Sequence, residues 1–316
     1  MKRSNNQGFL IRYQYPQRLS KSRETFASQF KPIKPAHDPL EPFMTVTDDV
    51  MTVRDARHGL RFAFLLPLVI GLWVLSFLFI DRIGPHPDEV VYAKEKISYY
   101  ENKERERLPY DKQRKAYFEA FFSENGDYSF WNYLNAVAKY SSERHRESVY
   151  FYISISLIAL FLAISATVFF VKSPKPAHIY FDRKRGLVYT WFFGRLAACR
   201  FENLGFLERK TGLLLYLYCE NKKRKGGYDV FPVTVQPTGK VHLNSERDNN
   251  YFFAQVFNFM DNGKSAVITG KSFHRPESKT YFFVDKRPEP FEERLEKLLE
   301  HEHVLPDLYE NLKVVN

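Results

Sequence analysis

Two apolar runs without a single charge constrain this chain more than any other feature. Phe62 to Ile80 (FAFLLPLVIGLWVLSFLFI) is 19 residues, and Val149 to Val171 (VYFYISISLIALFLAISATVFFV) is 23. At about 1.5 Å per residue the first gives a helix of about 28 Å, close to the hydrocarbon thickness of a bilayer. The second is long enough to cross with some tilt. Pro67 and Gly71 are tolerable in such a helix. A core helix of a soluble protein rarely needs so long a stretch without charge. The first run begins too far in, and is too long, for a cleaved signal peptide. The expectation is a multi-pass protein of the bilayer.

The runs divide the chain into five parts: a basic arm (residues 1–61), a first span (62–80), a middle segment (81–148), a second span (149–171) and a tail (172–316). The arm holds 11 Lys and Arg against 6 Asp and Glu, the middle segment 12 against 13, and the tail 24 against 18. Positive charge collects on the cytoplasmic side of a span. Both termini are therefore expected in the cytoplasm and the middle segment outside. The net charge of +10 suits an anionic membrane surface; the nucleic-acid reading ranks low, because the tail's aromatics alternate as a strand core instead of standing exposed among basic residues. Cys199 and Cys219 both lie in the tail, in apolar strand-like runs. They read as small buried hydrophobes in a reduced compartment.

The arm has prolines at 16, 32, 35, 39 and 42 and little period, so it reads as largely extended. Phe43–Val46 could add a strand to the tail. The middle segment reads as three helices. Pro87-Asp88 starts the first, with Val90, Ala93, Ile97 and Tyr100 on one face. Asp111 caps the second, with Tyr117, Phe118, Phe121 and Phe122 inward and Gly126 ending it. Trp131, Leu134 and Ala138 line the third. The tail reads as strands and then helices: Ile179–Arg183, Leu187–Phe193, Ala198–Phe201, Leu204–Arg209, Leu213–Glu220 and Tyr228–Val235, followed by helices at Asn249–Asp261 and Phe291–Glu302. Bulky residues at successive positions, Tyr180 beside Phe181 and Val188 beside Tyr189, suggest a sheet covered on both faces.

No phosphate loop, paired-cysteine metal motif or nucleophile elbow is present in the sequence. Catalysis, a metal and a cofactor are not expected. His301-Glu302-His303 places its histidines at i and i+2, on different faces of a helix. His178, His242 and His274 stand isolated and read as surface or packed residues. The spans carry no Asp, Glu, Lys, Arg or His, which argues against a transporter. Ser154, Ser156, Ser165 and Thr167 permit close helix contact, within the chain or in a homo-oligomer. Two basic turns follow the spans. Lys222-Lys223-Arg224-Lys225 reads as a solvated loop. Arg183, Lys184 and Arg185, in the hairpin AHIYFDRKRGLVYTWFFGR with Gly186 at the turn, lie within seven residues of linker from the second span. They are the candidate contact with anionic headgroups of the lipid bilayer.

The order of elements in the tail is similar to bacterial pleckstrin-homology-like domains. IYFDRKRGLVYTW and FFAQVFNFMDNG resemble hallmarks of an uncharacterised bacterial two-span inner-membrane family. The resemblance covers roughly Arg61 to Gly263 and implies an α+β membrane protein: two transmembrane helices, an external helical loop and a cytoplasmic pleckstrin-homology-like β domain with C-terminal helices. Genes of that family tend to lie near contact-dependent toxin and type VI secretion genes. The resemblance thus implies a non-enzymatic immunity or accessory role, with a protein partner on the loop 81–148 or on the cytoplasmic domain. The alternatives are a membrane scaffold or sensor that reads lipid or a cytosolic protein, and a pore-forming effector.

Overall fold

The computed structural model describes residues 16–23, 34–102, 109–209, 212–221, 227–238, 245–277, 280–310 and 312. The chain forms two compact units: a helical unit, Leu65–Phe170, and a second unit drawn from both flanks, Met1–Phe64 and Val171–Asn316.

The helical unit begins in α1 (Leu66–Asp81). A π-helical turn, Arg61–Leu65, leads into it. Pro67 accounts for that widening, because its ring lacks an N–H and crowds the carbonyl four residues back. Among the described residues two helical stretches are long and apolar enough to cross a membrane: Arg57–Asp81, which ends in α1, and α5 (Glu143–Lys172). Between them lie α2 (Pro87–Glu101), α3 (Pro109–Glu119) and α4 (Phe130–Tyr140). Pro87 stands at the start of α2, with Asp88 and Glu89 in its first turn, where acids meet the positive end of the helix dipole. The three short helices share a core that includes Ala93, Tyr100, Phe118, Phe121, Tyr133 and Val137. Packing on one another is what lets helices this short persist in water.

Two expectations for this segment are corrected. The second helix stops at Glu119, not Gly126. The chain then turns through Gly126 (φ +79°), and Phe122 bridges Tyr128. On α4 the buried face is Tyr133, Ala136 and Val137, while Trp131 is 73% exposed and Ala138 is also exposed. The i, i+3, i+4 spacing of the three buried residues defines one face. Trp131 falls outside it.

The second unit is built on one antiparallel sheet of ten strands among the described residues. They are β1 (Gln17–Arg18), β2 (Phe43–Val46), β3 (Val50–Val53), β4 (Ile179–Asp182), β5 (Leu187–Phe192), β6 (Arg195–Arg200), β7 (Gly205–Arg209), β8 (Gly212–Asn221), β9 (Gly227–Val235) and β10 (Phe273–His274). The order is β1-β7-β8-β6-β5-β4-β3-β2-β10, with β9 also on β8. Leu213–Cys219, read as a central strand, lies in β8 with partners on both sides. Part of the arm joins the sheet, as the Phe43–Val46 run suggested: β2 pairs β3, and β3 pairs β4 in the register Val50↔Asp182 to Val53↔Ile179. The chain segments leading into and out of the helical unit are thus adjacent strands of one sheet.

Successive residues of β4 and β5 bury on opposite faces. Tyr180 stacks on Tyr189 (5.0 Å between centroids), and Tyr189 meets Phe291 of α7 (Phe291–His301). Phe181 meets Phe201, which meets Phe257 of α6 (Glu246–Asn262). Both faces are covered, as the paired bulky residues require. Ser245 and Asp248 form a capping box at the start of α6, and Gly263 (φ +80°) ends it. α8 (Leu305–Glu310) completes the unit. Its fully buried Tyr309 lies over Gly205, where an added Cβ would come within 2.7 Å of the ring.

Candidate functional site

The hairpin that carries the basic cluster forms as expected: β4 and β5 pair antiparallel, and Gly186 takes φ +67° in the turn. Arg183, Lys184 and Arg185 are exposed at its tip. Two of them have partners within the unit. Asp182, only 5% exposed, accepts from the Arg185 backbone N–H (2.9 Å) and from its Nε (2.7 Å). Arg185 Nη1 also donates to Glu292 Oε2 at 2.8 Å, at the start of α7. Arg183 lies beside the end of α6, with Nη2 3.4 Å from the carbonyl of Asp261. A cation there meets the unsatisfied carbonyls of a helix C-terminus. Its backbone N–H donates to Asp49, in the turn between β2 and β3.

The surroundings of the tip are mixed in sign. Lys264 pairs with Asp48, Arg23 with Asp261, and Arg287 with Glu292. Strand direction matters as well. β4 starts at Ile179, seven residues after Lys172, and runs toward the tip. The cluster therefore sits at the end of the strand farther along from the exit of α5, by about 13 Å of strand. The linker is itself held, with Lys175 bridging Val284.

The other sequence candidates fall as follows. Lys222, Lys223, Arg224, Lys225 and His242 lie outside the described residues. Cys199 and Cys219 are core members. Burial raises the Cys219 thiol to about 12 and Cys199 well above its ordinary value. Of His301-Glu302-His303, the carboxylate is fully buried and taken by Arg200 and Asn203, with oxygen distances of 2.9–3.0 Å. His274 lies 3.4 Å from the Thr45 hydroxyl. His178 is a correction: it is buried, it stacks on His58 at 5.4 Å, and its Nε2 is 2.5 Å from Glu277 Oε1. Its neighbours come from three distant stretches of sequence, so no local pattern could reveal them.

In the helical unit Trp73 Nε1 donates to Thr167 Oγ1 at 3.0 Å, joining α1 to α5. Ser156, Ala159 and Ala163 are buried along one face of α5, and Ser76 is buried on α1. The remaining faces stay open: Phe77 is 62% and Phe161 70% exposed. Comparison with protein-family models, with curated proteins and with solved structures finds no match. Between the helices, α2 and α3 leave Tyr92, Tyr99 and Tyr110 exposed, and α4 leaves Trp131 exposed. Tyr133, within the core, is pushed up to about 12 by burial.

Proposed function

We propose that the chain is a non-enzymatic bacterial inner-membrane protein whose two apolar helices span the bilayer, with both termini cytoplasmic and residues 81–148 outside. One observation carries the reading. The segment between the apolar helices has a core of its own yet holds Tyr92, Tyr99, Tyr110 and Trp131 toward solvent. Aromatic side chains of this kind are the anchors of protein interfaces. The partner in this reading is a toxin or secretion component, and the role is immunity or accessory. The family resemblance of the two tail motifs supports that role, and the pleckstrin-homology-like reading of the β-rich unit belongs with it. The membrane reading is supported by the length, composition and exposed apolar sides of α1 and α5.

A second reading, a membrane scaffold or sensor, is favoured by the register of β3 with β4. Because the strands flanking the helical unit are neighbours, a cytosolic ligand on the sheet would act on both chain connections at once. Expression in a bacterial host tests the proposal. The chain alone should leave growth unchanged, and it should protect against a toxin encoded beside its gene. Exchange of residues 81–148 for those of a relative should change which toxin is blocked. Growth arrest by the chain alone would identify a pore-forming effector. Protection that ignores the exchange would move the partner to the sheet unit.

A further inference from the structure

The sheet unit contains a cavity of about 350 Å³ that none of the reasoning above uses. Its wall is drawn from four separated stretches of the chain, with Gln236 after β9 as one of them. Arg54 follows β3, Lys175 and His178 precede β4, and Glu277 and Tyr281 come from the segment after β10. Met44, Phe62 and Pro276 supply apolar wall. The volume is that of a small-ligand pocket, and apolar walls with a few convergent polar groups are the usual make-up of one.

Two carboxylates line the cavity: Asp55, fully buried and taken up by Arg57, and Glu277, which faces the cations of the wall. Glu277 Oε2 pairs with Lys175 Nζ, and Glu277 Oε1 lies 2.5 Å from His178 Nε2. The Lys175 and His178 side chains are 18% and 11% exposed, whereas that of Glu277 is 30% exposed. The cationic and donor groups are thus the fixed wall, and the carboxylate comes in from the more open side. Arg54 adds a second cation, its Nη1 3.1 Å from Glu41 Oε1. His178 Nδ1 and Tyr281 Oη are buried away from the cavity and have no hydrogen-bond partner among the described residues. Arg61 serves packing: it is buried, donates to the Ser173 carbonyl at 2.9 Å and lies over the Tyr281 ring at 4.3 Å.

We propose that this cavity binds a phosphate monoester carried on an apolar body, a single-chain anionic amphiphile, and that the Glu277 carboxylate occupies the place of its head group until displaced. A phosphate has the oxygens to accept from Lys175 Nζ and His178 Nε2–H together, as the two oxygens of Glu277 do in this structure. The body of the ligand lies against Met44, Phe62 and Pro276. The inference does not depend on which side of a membrane the unit faces or on the partner proposed above.

The test is a ³¹P NMR titration of the full-length protein in dodecyl maltoside, a detergent without phosphorus, with butyl phosphate as the probe. Wild type should broaden and shift the probe signal saturably. Binding should be about tenfold tighter than for inorganic phosphate, from partial burial of the butyl group. Lysophosphatidic acid should compete, and glycerol 3-phosphate should not. Lys175→Gln should weaken binding at least tenfold. Glu277→Gln, which keeps the shape and removes the competing charge, should tighten it severalfold. Unchanged melting temperatures establish that both variants are folded. Four results overturn the proposal: no saturable binding, inorganic phosphate as tight as the probe, glycerol 3-phosphate competing as well as the lysolipid, or a Glu277→Gln variant that binds more weakly than wild type.

Discussion

Changing the hairpin tip one residue at a time separates two roles for its basic side chains. If Arg183, Lys184 and Arg185 served mainly as headgroup contacts, each would contribute about 1 kcal/mol near an anionic surface and the three would be interchangeable. The structure makes them unequal. Arg185→Gln leaves the Asp182 carboxylate, 5% exposed, with a backbone N–H and no cation. A buried charge stripped of its partner costs about 1–3 kcal/mol. The outer bond to Glu292, whose side chain is 62% exposed, adds at most about 0.5 kcal/mol. For a unit of this size the expected fall in Tm is roughly 3–8 °C. Arg183→Gln loses a contact at the end of α6, about 0.3–1 kcal/mol. Lys184→Gln should be within about 0.5 kcal/mol of wild type. The assay is thermal unfolding of the full chain in detergent, repeated in nanodiscs of neutral and of anionic lipid. The full chain is needed, because a tail starting at Lys175 would lack β2 and β3 and leave β4 as a bare edge. If Arg185→Gln melts with wild type, and all three variants lose anionic-lipid stabilisation equally, the assignment of Arg185 to Asp182 is refuted and the headgroup reading stands.

Two further substitutions probe the cores. Gly205→Ala places a methyl 2.7 Å from the Tyr309 ring and should cost about 1–3 kcal/mol by overpacking; pairing it with Tyr309→Leu should recover part of the loss in a double-mutant cycle, and strict additivity would contradict the contact. Trp73→Phe removes the bond to Thr167 and should lower the stability of the helix pair by about 0.6 kcal/mol; Thr167→Val should do the same, and the double variant should cost no more than either alone.

Much of the tail is legible in the sequence because its strands are apolar and aromatic runs bounded by turn residues. Leu187–Phe193, Leu213–Glu220 and Tyr228–Val235 each fall within a residue or two of the observed strands. The arm is harder to read. Four residues such as Phe43–Val46 carry too little pattern to reveal a period, and what makes them a strand is pairing with Val50–Val53 and, through it, with β4 some 130 residues away. On α4 the sets Trp131, Leu134, Ala138 and Tyr133, Ala136, Val137 both have helical spacing, so spacing does not choose the buried face; packing against Phe121 and its neighbours does. At the hairpin tip the sequence shows three like residues, and only the fold shows that Asp182 and Glu292 hold one of them. The cavity around His178 leaves no sequence signal, since its polar wall is assembled from residues near 54, 175, 236 and 277.

The central claim is that α1 and α5 cross a membrane, so that the sheet unit and the segment between the helices face opposite sides. Single cysteines at Glu124 and Lys271, both exposed, test it with a membrane-impermeant maleimide. The native background can be kept, because Cys199 and Cys219 are buried and burial holds both thiols in the protonated, unreactive form. In intact spheroplasts the Glu124→Cys chain should label and the Lys271→Cys chain should not. After permeabilisation both should label. Equal labelling of the two in intact spheroplasts would contradict the account.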